Sequence, residues 1–377
     1  MKPPAYYRGK EQTYLKHFFV ERYLEAVAFH IGYSYLAFVY VDCFSGPWRS
    51  ADEDLADTSI RIALEKLNYV REGLTTKGRT ASIRAVFVEK DPTAFRALEA
   101  ALEQHKRAIV TAALPGAFEN NVPAILQHVG ERFAFFFIDP KGWAGFAMDN
   151  IRPILQHHPG EVMVNFMYDF INRFINYPDH ANEESLDKFF GTADWRTIRT
   201  ATDREEESVE LYKEQLRKTG RYTYVTSTRI LKPLQDRAYF HLIYATRNPK
   251  GIIKFRDVEK QTIKEQDAVR TTAQRDYRET KTGQAEFPFG PAHQLSTTIE
   301  EERARRRVQA KERLLLLIGA RAMRYADLQP LILEIPLMAT SDFNSLLLAS
   351  RDEGVLAIEG MTARERTPKQ NHVIRKR

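Results

Sequence analysis

Two strongly apolar runs of the sequence end in residues that could bind a polar ligand. The first run is followed by the turn Asp42-Cys43-Phe44-Ser45-Gly46-Pro47, and the second run, IRAVFV, ends in Glu89. A glycine in such a turn lets the backbone approach a ligand without an intervening Cβ atom. An acid after the second strand accepts hydrogen bonds from ribose hydroxyls in dinucleotide-binding folds. The predicted adenosine-cofactor site consists of Asp42, Phe44, Ser45, Gly46, Pro47 and Glu89. The alternative for each part is a strand that ends in a solvated turn.

A third apolar run, FAFFFI, is followed by Asp139-Pro140-Lys141-Gly142-Trp143. This element resembles the Asp-Pro-Pro-Trp/Tyr element of amino-methyltransferases, in which a carboxylate and a backbone carbonyl accept the N–H groups of an exocyclic amine. Those contacts aim the nitrogen lone pair at the methyl group, and the aromatic ring stacks on a flipped base. We therefore predict Asp139, Pro140 and Trp143 as catalytic residues, with either Trp143 or Tyr168 as the stacking ring. The alternative is a surface turn after a core strand.

Metal chemistry is not predicted. No cluster of acids with a nearby Lys has the spacing of a nuclease metal site, and His157-His158 is typical of a helix end. With one cysteine, Cys43, the chain has no internal disulfide and no thiol-based metal site.

The elements that must position these residues follow a regular order. Apolar runs without alternation, separated by helical segments, indicate parallel strands that are buried on both faces. This pattern predicts an α/β fold, a doubly wound sheet with helices on both faces. The resemblance of the Asp139-Pro140 element to amino-methyltransferases implies that it is a Rossmann-like class I methyltransferase sheet. The segments RYTYVTSTRIL and RAYFHLIYATR are expected to close the sheet as a β-hairpin. In such sheets ligands bind at the carboxyl ends of the strands, where the acidic turns lie.

The last 70 or so residues have the rhythm of three helices followed by two short strands, which predicts a C-terminal winged helix-turn-helix. The third helix is expected to begin near Ser341 and to end near Gly354. We predict three parts: a methyltransferase-like domain over 1–265, a helical and irregular connector over 266–300, and the winged-helix domain over 301–377.

Basic residues are concentrated in that last part. Residues 301–377 hold fifteen Lys and Arg against ten Asp and Glu, an excess of five in a chain of net charge +6. A basic terminal domain favours a nucleic-acid partner, DNA before RNA. The predicted nucleic-acid contacts are Arg351, Arg364, Arg366, Lys369, Arg375 and Lys376. The alternatives are an ordinary solvated surface and a protein-interaction or dimerisation module.

Composition excludes several classes of protein. An apolar fraction of 43% and a charged fraction of 28% are typical of a globular protein. No apolar run approaches the roughly 20 residues that span a bilayer, and the first residues lack the apolar core of a signal peptide. We expect a cytoplasmic protein with no membrane partner.

The motifs DCFSGP, VFVEKDP, FFFIDPKGW, NFMYDFINRF and HLIYATRNPKG together resemble those of the three-Cys-motif partner proteins. These are methyltransferase-like Rossmann proteins found beside a radical-SAM-like partner, and the resemblance covers roughly residues 10–265. It implies the same sheet, a winged-helix tail and such a partner for this chain. The sequence departs from the family at Trp48, where the family has a glycine, and at Asp57-Thr58-Ser59 in place of Gly-Ser-Pro. Trp48 would either stack on a ligand or block the pocket.

Two hypotheses follow. In the first, the protein is an S-adenosylmethionine-dependent methyltransferase that acts on nucleic acid at an exocyclic base amine. In the second, it is a catalytically silent, methyltransferase-like DNA-binding partner of a three-Cys-motif protein. Binding of S-adenosylmethionine separates the two hypotheses.

Overall fold

A computed structural model gives the arrangement of the chain and describes residues 1–45, 58–105, 109–140, 142, 146–177, 180–284, 297–362 and 364–377. Two compact units emerge from the contacts. The first comprises Met1–Val225 with Arg229–Arg247, and the second comprises Thr226–Thr228 with Asn248–Arg377. The contacts therefore divide the chain near 247, whereas the predicted domain boundary is at 265. That boundary stays a prediction about which segment folds by itself.

The first unit alternates strands and helices as expected. Its strands are β1 (Ala37–Asp42), β2 (Ser82–Glu89), β3 (Val110–Pro115), β4 (Phe133–Ile138), β5 (Gly160–Phe166), β6 (Tyr224–Leu231) and β7 (Ala238–Thr246). Its helices are α1 (Glu11–Tyr35), α2 (Ser59–Thr76), α3 (Pro92–His105), α4 (Phe118–Val129), α5 (Met148–Gln156), α6 (Tyr168–Ile175), α7 (His180–Phe190) and α8 (Arg204–Gly220). Short 3₁₀ helices cover Pro4–Tyr7 and Asp194–Thr200.

These strands form one seven-stranded sheet in the order β3-β2-β1-β4-β5-β7-β6. The pairs β1–β2, β2–β3, β1–β4 and β4–β5 are parallel, and β5–β7 is antiparallel. This mixed order is typical of class I methyltransferases. The predicted α/β sheet is therefore confirmed, including the closing pair β6 and β7, which are neighbours in the sheet.

Burial explains why the strands read as unbroken apolar runs. Every residue of Phe133–Ile138 and of Gly160–Phe166 is buried, because helices cover both faces of a central parallel strand. The chain steps from β1 outward to β3 and then crosses back to β4. Since parallel crossovers are right-handed, that reversal puts α2 and α3 on one face and α4 and α5 on the other. Accordingly, α1 packs against α2, while α5 packs against α4, α7 and α8.

The second unit begins with α9 (Pro249–Thr282), a helix of 34 residues. It continues with α10 (Thr297–Ala320), β8 (Met323–Arg324), α11 (Tyr325–Ile332), α12 (Thr340–Asp352), β9 (Leu356–Glu359) and β10 (Val373–Lys376). The three strands form an antiparallel sheet in the order β8-β10-β9. Three helices and two of the strands were expected here, whereas the two-residue strand β8 was not.

The ends of α12 show how its sequence sets its length. The carboxylate of Asp342 accepts the backbone N–H of Ala339 at 3.1 Å, so the helix begins at Thr340 and not at a Ser341 cap. Gly354 follows the helix with φ +76°, a conformation that favours glycine, and Val355 N donates to Ser350 O at 3.0 Å. The predicted glycine stop is confirmed. Among the described residues, none of the helices is long and apolar enough to cross a membrane.

Candidate functional site

The candidate site lies at the carboxyl ends of β1, β2, β4 and β5. Strands β1 and β4 are adjacent, but the chain leaves β1 toward β2 and leaves β4 toward β5. The connections after these two strands therefore diverge, and a crevice opens where the strand order reverses. Ligands of open α/β sheets bind at this switch point.

The turn after β1 is anchored to both neighbouring strands. Cys43 N donates to Phe137 O of β4 at 2.9 Å, and Ser45 N donates to Val88 O of β2 at 2.9 Å. The Ser45 hydroxyl also accepts the backbone N–H of Val88 at 3.1 Å. These bonds hold residues 43–45 as an extension of the sheet and fix the place at which the chain leaves it.

Asp42 ends β1 with its carboxylate 1% exposed. One oxygen accepts the N–H of Phe44 at 3.2 Å and the other accepts the hydroxyl of Ser59 at 3.3 Å. Burial, and next the negative charge of Asp139, raise the pKa of Asp42 to about 7. The crevice therefore contains an acid that changes its charge near neutral pH.

Glu89 ends β2, and its two carboxylate oxygens differ. Oε1 accepts the N–H of Asp91 at 2.7 Å, whereas Oε2 is buried and has no hydrogen-bond partner in the described part of the chain. The residue is 5% exposed. A buried acceptor without a donor costs about 1–3 kcal/mol. A ligand that supplies hydroxyl donors at this position removes that cost, so Glu89 fits the ribose of an adenosyl cofactor.

Asp139 follows β4 and joins residues from two other elements. Its Oδ2 accepts Nζ of Lys16, on α1, at 2.5 Å, and its Oδ1 accepts Nδ2 of Asn165, on β5, at 2.6 Å. Since a carboxylate oxygen only accepts, the amide nitrogen of Asn165 must face Asp139. The amide Oδ1 is left buried and without a partner among the described residues.

The structure places the other predicted site residues as follows. Phe44 is half-buried, and its ring lies 5.0 Å from that of Phe118 and 6.1 Å from that of Phe146, so it also packs against the hydrophobic core. Pro140 is buried. Tyr168 is 6% exposed within the core, which leaves no open ring face for stacking, contrary to the prediction.

Six residues of the predicted motifs lie outside the described residues: Gly46, Pro47, Trp48, Asp57, Lys141 and Trp143. Their roles stay predictions. Gly142 is described, and a Cβ atom placed on it would lie 3.3 Å from Cε1 of Phe170. The space beside this glycine is therefore filled by an aromatic ring of α6.

The predicted nucleic-acid contacts lie in the second unit. Arg364, Arg366 and Lys369 lie between β9 and β10, Arg351 lies in the last turn of α12, and Arg375 and Lys376 lie on β10. Three of them form ion pairs with acids of the same unit: Arg351 with Asp352 at 2.8 Å, Lys369 with Glu365 at 2.5 Å and Arg375 with Glu359 at 2.6 Å. These pairs reduce the local excess of positive charge.

Sequence reasoning did not find Lys16 and Ser59, nor the contact of Asn165 with Asp139. Helical periodicity identifies the buried stripe of α1 but not which of its polar side chains reaches the strand ends. Among the described residues, no group of three or more His, Cys, Asp or Glu side chains could hold a metal ion.

No protein-family model matches the chain, and no curated protein matches it. Membership of the three-Cys-motif partner family therefore stays a prediction. Similar solved structures include cofactor-bound Rv0187 from MTB, at 11% identity and a TM-score of 0.32, covering 60% of this chain and 79% of that chain. Protein LPL1258 from Legionella pneumophila is 12% identical with a TM-score of 0.35, covering 62% of this chain and 84% of that chain.

A loganic acid methyltransferase with SAH is also similar, at 12% identity and a TM-score of 0.31, covering 73% of this chain and 90% of that chain. Similarities of this size are distant and carry no argument about ligand or activity.

Proposed function

We propose that the protein is an S-adenosylmethionine-dependent methyltransferase. The observation that carries this proposal is the buried carboxylate oxygen of Glu89, without a partner in the described part of the chain, beside the switch point of the sheet. Glu89 would hold the ribose hydroxyls, and the turn Asp42–Pro47 would hold the rest of the cofactor. When bound, the cofactor supplies a methyl group on a sulfonium, which a nucleophilic atom of the substrate accepts.

The residues of this chain would orient the acceptor. Asp139 uses one lone pair of each oxygen for Lys16 and Asn165, and further lone pairs remain for the N–H groups of an amine. The carbonyl of Pro140 is the second predicted acceptor, and Trp143 is the predicted stacking ring. An amine loses its proton after methyl transfer, so the proposal requires no general base of tuned pKa.

For the substrate we propose nucleic acid, DNA before RNA, with methylation of an exocyclic base amine. In support, the element order from α10 to β10 (helix, strand, two helices, two strands) is the order expected of a winged helix-turn-helix. The segment between β9 and β10 would then be the wing, with Arg364, Arg366 and Lys369 facing phosphates. A radical-SAM-like three-Cys-motif protein is the proposed protein partner.

One observation favours the catalytically silent alternative. Both oxygens of Asp139 already accept hydrogen bonds from side chains of this chain, and the shorter one is an ion pair with Lys16 at 2.5 Å. An amine must therefore share this carboxylate with an ammonium group. In the alternative, Lys16 neutralises Asp139, and this carboxylate does not orient a substrate amine.

Isothermal titration of the full chain with S-adenosylmethionine tests the proposal. We expect the wild type to bind. We expect Glu89→Gln to bind about 10-fold to 100-fold more weakly, because hydrogen bonds to a charged acceptor contribute about 1.5–3 kcal/mol each. Glu99→Gln, an exposed acid on α3, is the matched control and should bind as the wild type does. A folded wild type that binds DNA but not the cofactor would instead support the silent alternative.

A further inference from the structure

Helix α6 carries two stripes of large side chains, one buried and one partly exposed, and Phe174 of the second stripe also packs against the hydrophobic core. The buried stripe consists of Tyr168, Ile171 and Ile175. The second stripe contains Phe170, Phe174 and Tyr177, spaced i, i+4 and i+7, so these rings share one side of the helix and of the turn that continues it. Phe170 is 36% exposed and Tyr177 is 64% exposed.

The three rings form a continuous series. The ring centroids of Phe170 and Phe174 are 5.2 Å apart, and those of Phe174 and Tyr177 are 6.4 Å apart. A hydrogen bond from Tyr177 N to Phe174 O at 3.0 Å holds the last ring in the turn after the helix. We call Phe170, Phe174 and Tyr177 the α6 aromatic series.

Three cations contact Asp169, the residue that precedes Phe170 in α6. Asp169 accepts Lys232 at 2.8 Å and Arg173 at 3.0 Å, and Arg237 lies 3.4 Å from it. Three cations around one carboxylate leave an excess of two positive charges. The side chain of Arg173 is 65% exposed and that of Arg237 is 48% exposed, whereas that of Asp169 is 8% exposed. The cations therefore face solvent and the acid does not.

Arg173 lies among the rings of the α6 aromatic series along the chain. It is three residues after Phe170, so these two side chains are neighbours on the helix surface. It is four residues before Tyr177, which lies in the turn after the helix. The series also meets the element after β4, because the ring of Phe170 occupies the space beside Gly142. Exposed rings and cations thus lie next to the Asp139–Gly142 element of the candidate site.

We propose that the α6 aromatic series, with Arg173 and Arg237, binds single-stranded nucleic acid, its bases stacking on the rings and its phosphates contacting the cations. Proteins that bind single strands combine these two features, since every base has a face that stacks and every phosphate carries charge. An exposed ring alone is ordinary on a protein surface. Because cations lie beside the rings, we favour a polyanion over an apolar peptide as the ligand of this surface. This proposal deepens the proposed function and rests on its nucleic-acid substrate.

Fluorescence anisotropy of the full chain with a labelled oligothymidylate of about 12 nucleotides tests the stacking contact. We expect Tyr177→Ala to weaken binding by about 5-fold to 100-fold, because stacking on an aromatic side chain contributes about 1–3 kcal/mol per base. Tyr177→Phe keeps the ring and should bind as the wild type does. Tyr35→Ala is the matched control, because Tyr35 is 60% exposed and lies just before β1, at the amino end of that strand.

The salt dependence of the same binding tests the cations. Each phosphate contact adds about 0.7 to the slope of log K against log salt for a single strand. The double variant Arg173→Gln with Arg237→Gln should therefore lower that slope by about 1.4, while Lys232 keeps Asp169 paired. Lys77→Gln with Arg79→Gln, exposed between α2 and β2, should leave the slope unchanged.

The outcomes separate the surface from the enzyme. Tighter binding of a single strand than of a hairpin duplex, lost in Tyr177→Ala, supports the proposal with either a DNA or an RNA oligonucleotide. Equal binding by wild type and Tyr177→Ala overturns it, as does a slope change without any effect of the ring, which indicates phosphate contacts without base stacking. Tyr177→Ala should bind S-adenosylmethionine as the wild type does, because this surface does not contact the cofactor. If the wild type does not bind the cofactor, the proposed function is overturned, but the result on single-strand binding is unaffected.

Discussion

Lys16 Nζ lies 2.5 Å from Oδ2 of Asp139, a residue that follows it by 123 positions in the chain. Each side chain is 16% exposed, so the ion pair is shielded from most of the solvent. Helix α1 thus places the ammonium group of Lys16 at the carboxyl end of the central strand β4. Asp42 is close enough to be affected, since Lys16 lowers its pKa while Asp139 raises it.

We expect Lys16→Met to lower the free energy of unfolding by about 1–3 kcal/mol, because a partly buried carboxylate loses its charged donor. The loss should be greater at neutral pH than in mild acid, where Asp42 is protonated and repels Asp139 less. Urea unfolding at both pH values measures it. Lys10→Met, an exposed change just before α1, should shift stability by no more than about 0.5 kcal/mol. Equal losses in the two variants would contradict the coupling.

A second prediction concerns Asp42 and pH. Its pKa rises from 3.8 to about 7 on folding, so the folded state binds the proton more tightly than the unfolded state does. The free energy of unfolding therefore falls as pH rises through this interval, by roughly 4 kcal/mol at most, and stays level above it. Asp42→Asn removes the titration and keeps acceptor and donor atoms for Phe44 and Ser59.

We accordingly expect Asp42→Asn to match the wild type near the acid end of this interval and to exceed it in stability above pH 7, as measured by urea unfolding across the interval. Asp149→Asn, whose wild-type carboxylate is 84% exposed, is the control and should give a curve parallel to the wild type. A curve for Asp42→Asn that also parallels the wild type would rule out the raised pKa.

Asn165→Asp tests the donor that faces Asp139. The new carboxylate would stand where Nδ2 now donates at 2.6 Å, so two acceptors would meet without a proton between them. We expect the free energy of unfolding to fall by about 1–3 kcal/mol at neutral pH and by less in acid, since protonation of one carboxylate restores a donor. Thermal unfolding at the two pH values measures the effect. Asn150→Asp, exposed on α5, should show neither the loss nor its pH dependence.

The second unit contains a buried ion pair between Arg256 and Glu259, 2.7 Å apart with side chains 0% and 2% exposed. Arg256 also donates to the carbonyl of Leu333 at 2.7 Å. Arg256→Met leaves the carboxylate of Glu259 buried without its cation. We therefore expect the free energy of local unfolding to fall by about 3–5 kcal/mol, measured as faster amide hydrogen exchange along α9.

The compensating variant makes that prediction specific. Arg256→Met with Glu259→Met replaces both charges by apolar groups and should recover part of the protection, because it removes the unpaired buried charge while the carbonyl of Leu333 still lacks its donor. Lys254→Met breaks a surface pair with Asp257, whose members are 47% and 45% exposed, and should leave exchange nearly unchanged. If the double variant exchanged faster than Arg256→Met alone, burial of the charge would not be the cause.

The sheet could be predicted because its strands are buried on both faces. Runs such as FAFFFI have no alternation, and the helices between them fix parallel pairing, which in turn gathers Asp42, Glu89 and Asp139 at one edge. That inference needed only the order of the strands in the chain. Helix ends were less exact: the third helix of the last part was expected to begin near Ser341, whereas α12 begins at Thr340, because Asp342 caps the backbone N–H of Ala339.

The partners of the site residues could not be predicted in the same way. Lys16 is one of several polar residues on an amphipathic helix, and only the packing of α1 decides which of them meets Asp139. The prediction that Phe44 contacts the cofactor stays untested, but its ring also contacts Phe118 and Phe146, both from segments distant in sequence. Contacts of this kind depend on tertiary packing and leave no local pattern.

The anchored turn after β1 has a consequence for how this fold can diversify. Ser45 N donates to Val88 O, and the hydroxyl of Ser59 donates to Asp42, so the described residues on either side of 46–57 are held at the ends of β2 and β1. When two points of a chain are held, each doubling of the length between them costs only about 0.6 kcal/mol in closure entropy. We therefore expect insertions between Ser45 and Thr58 to leave the sheet intact.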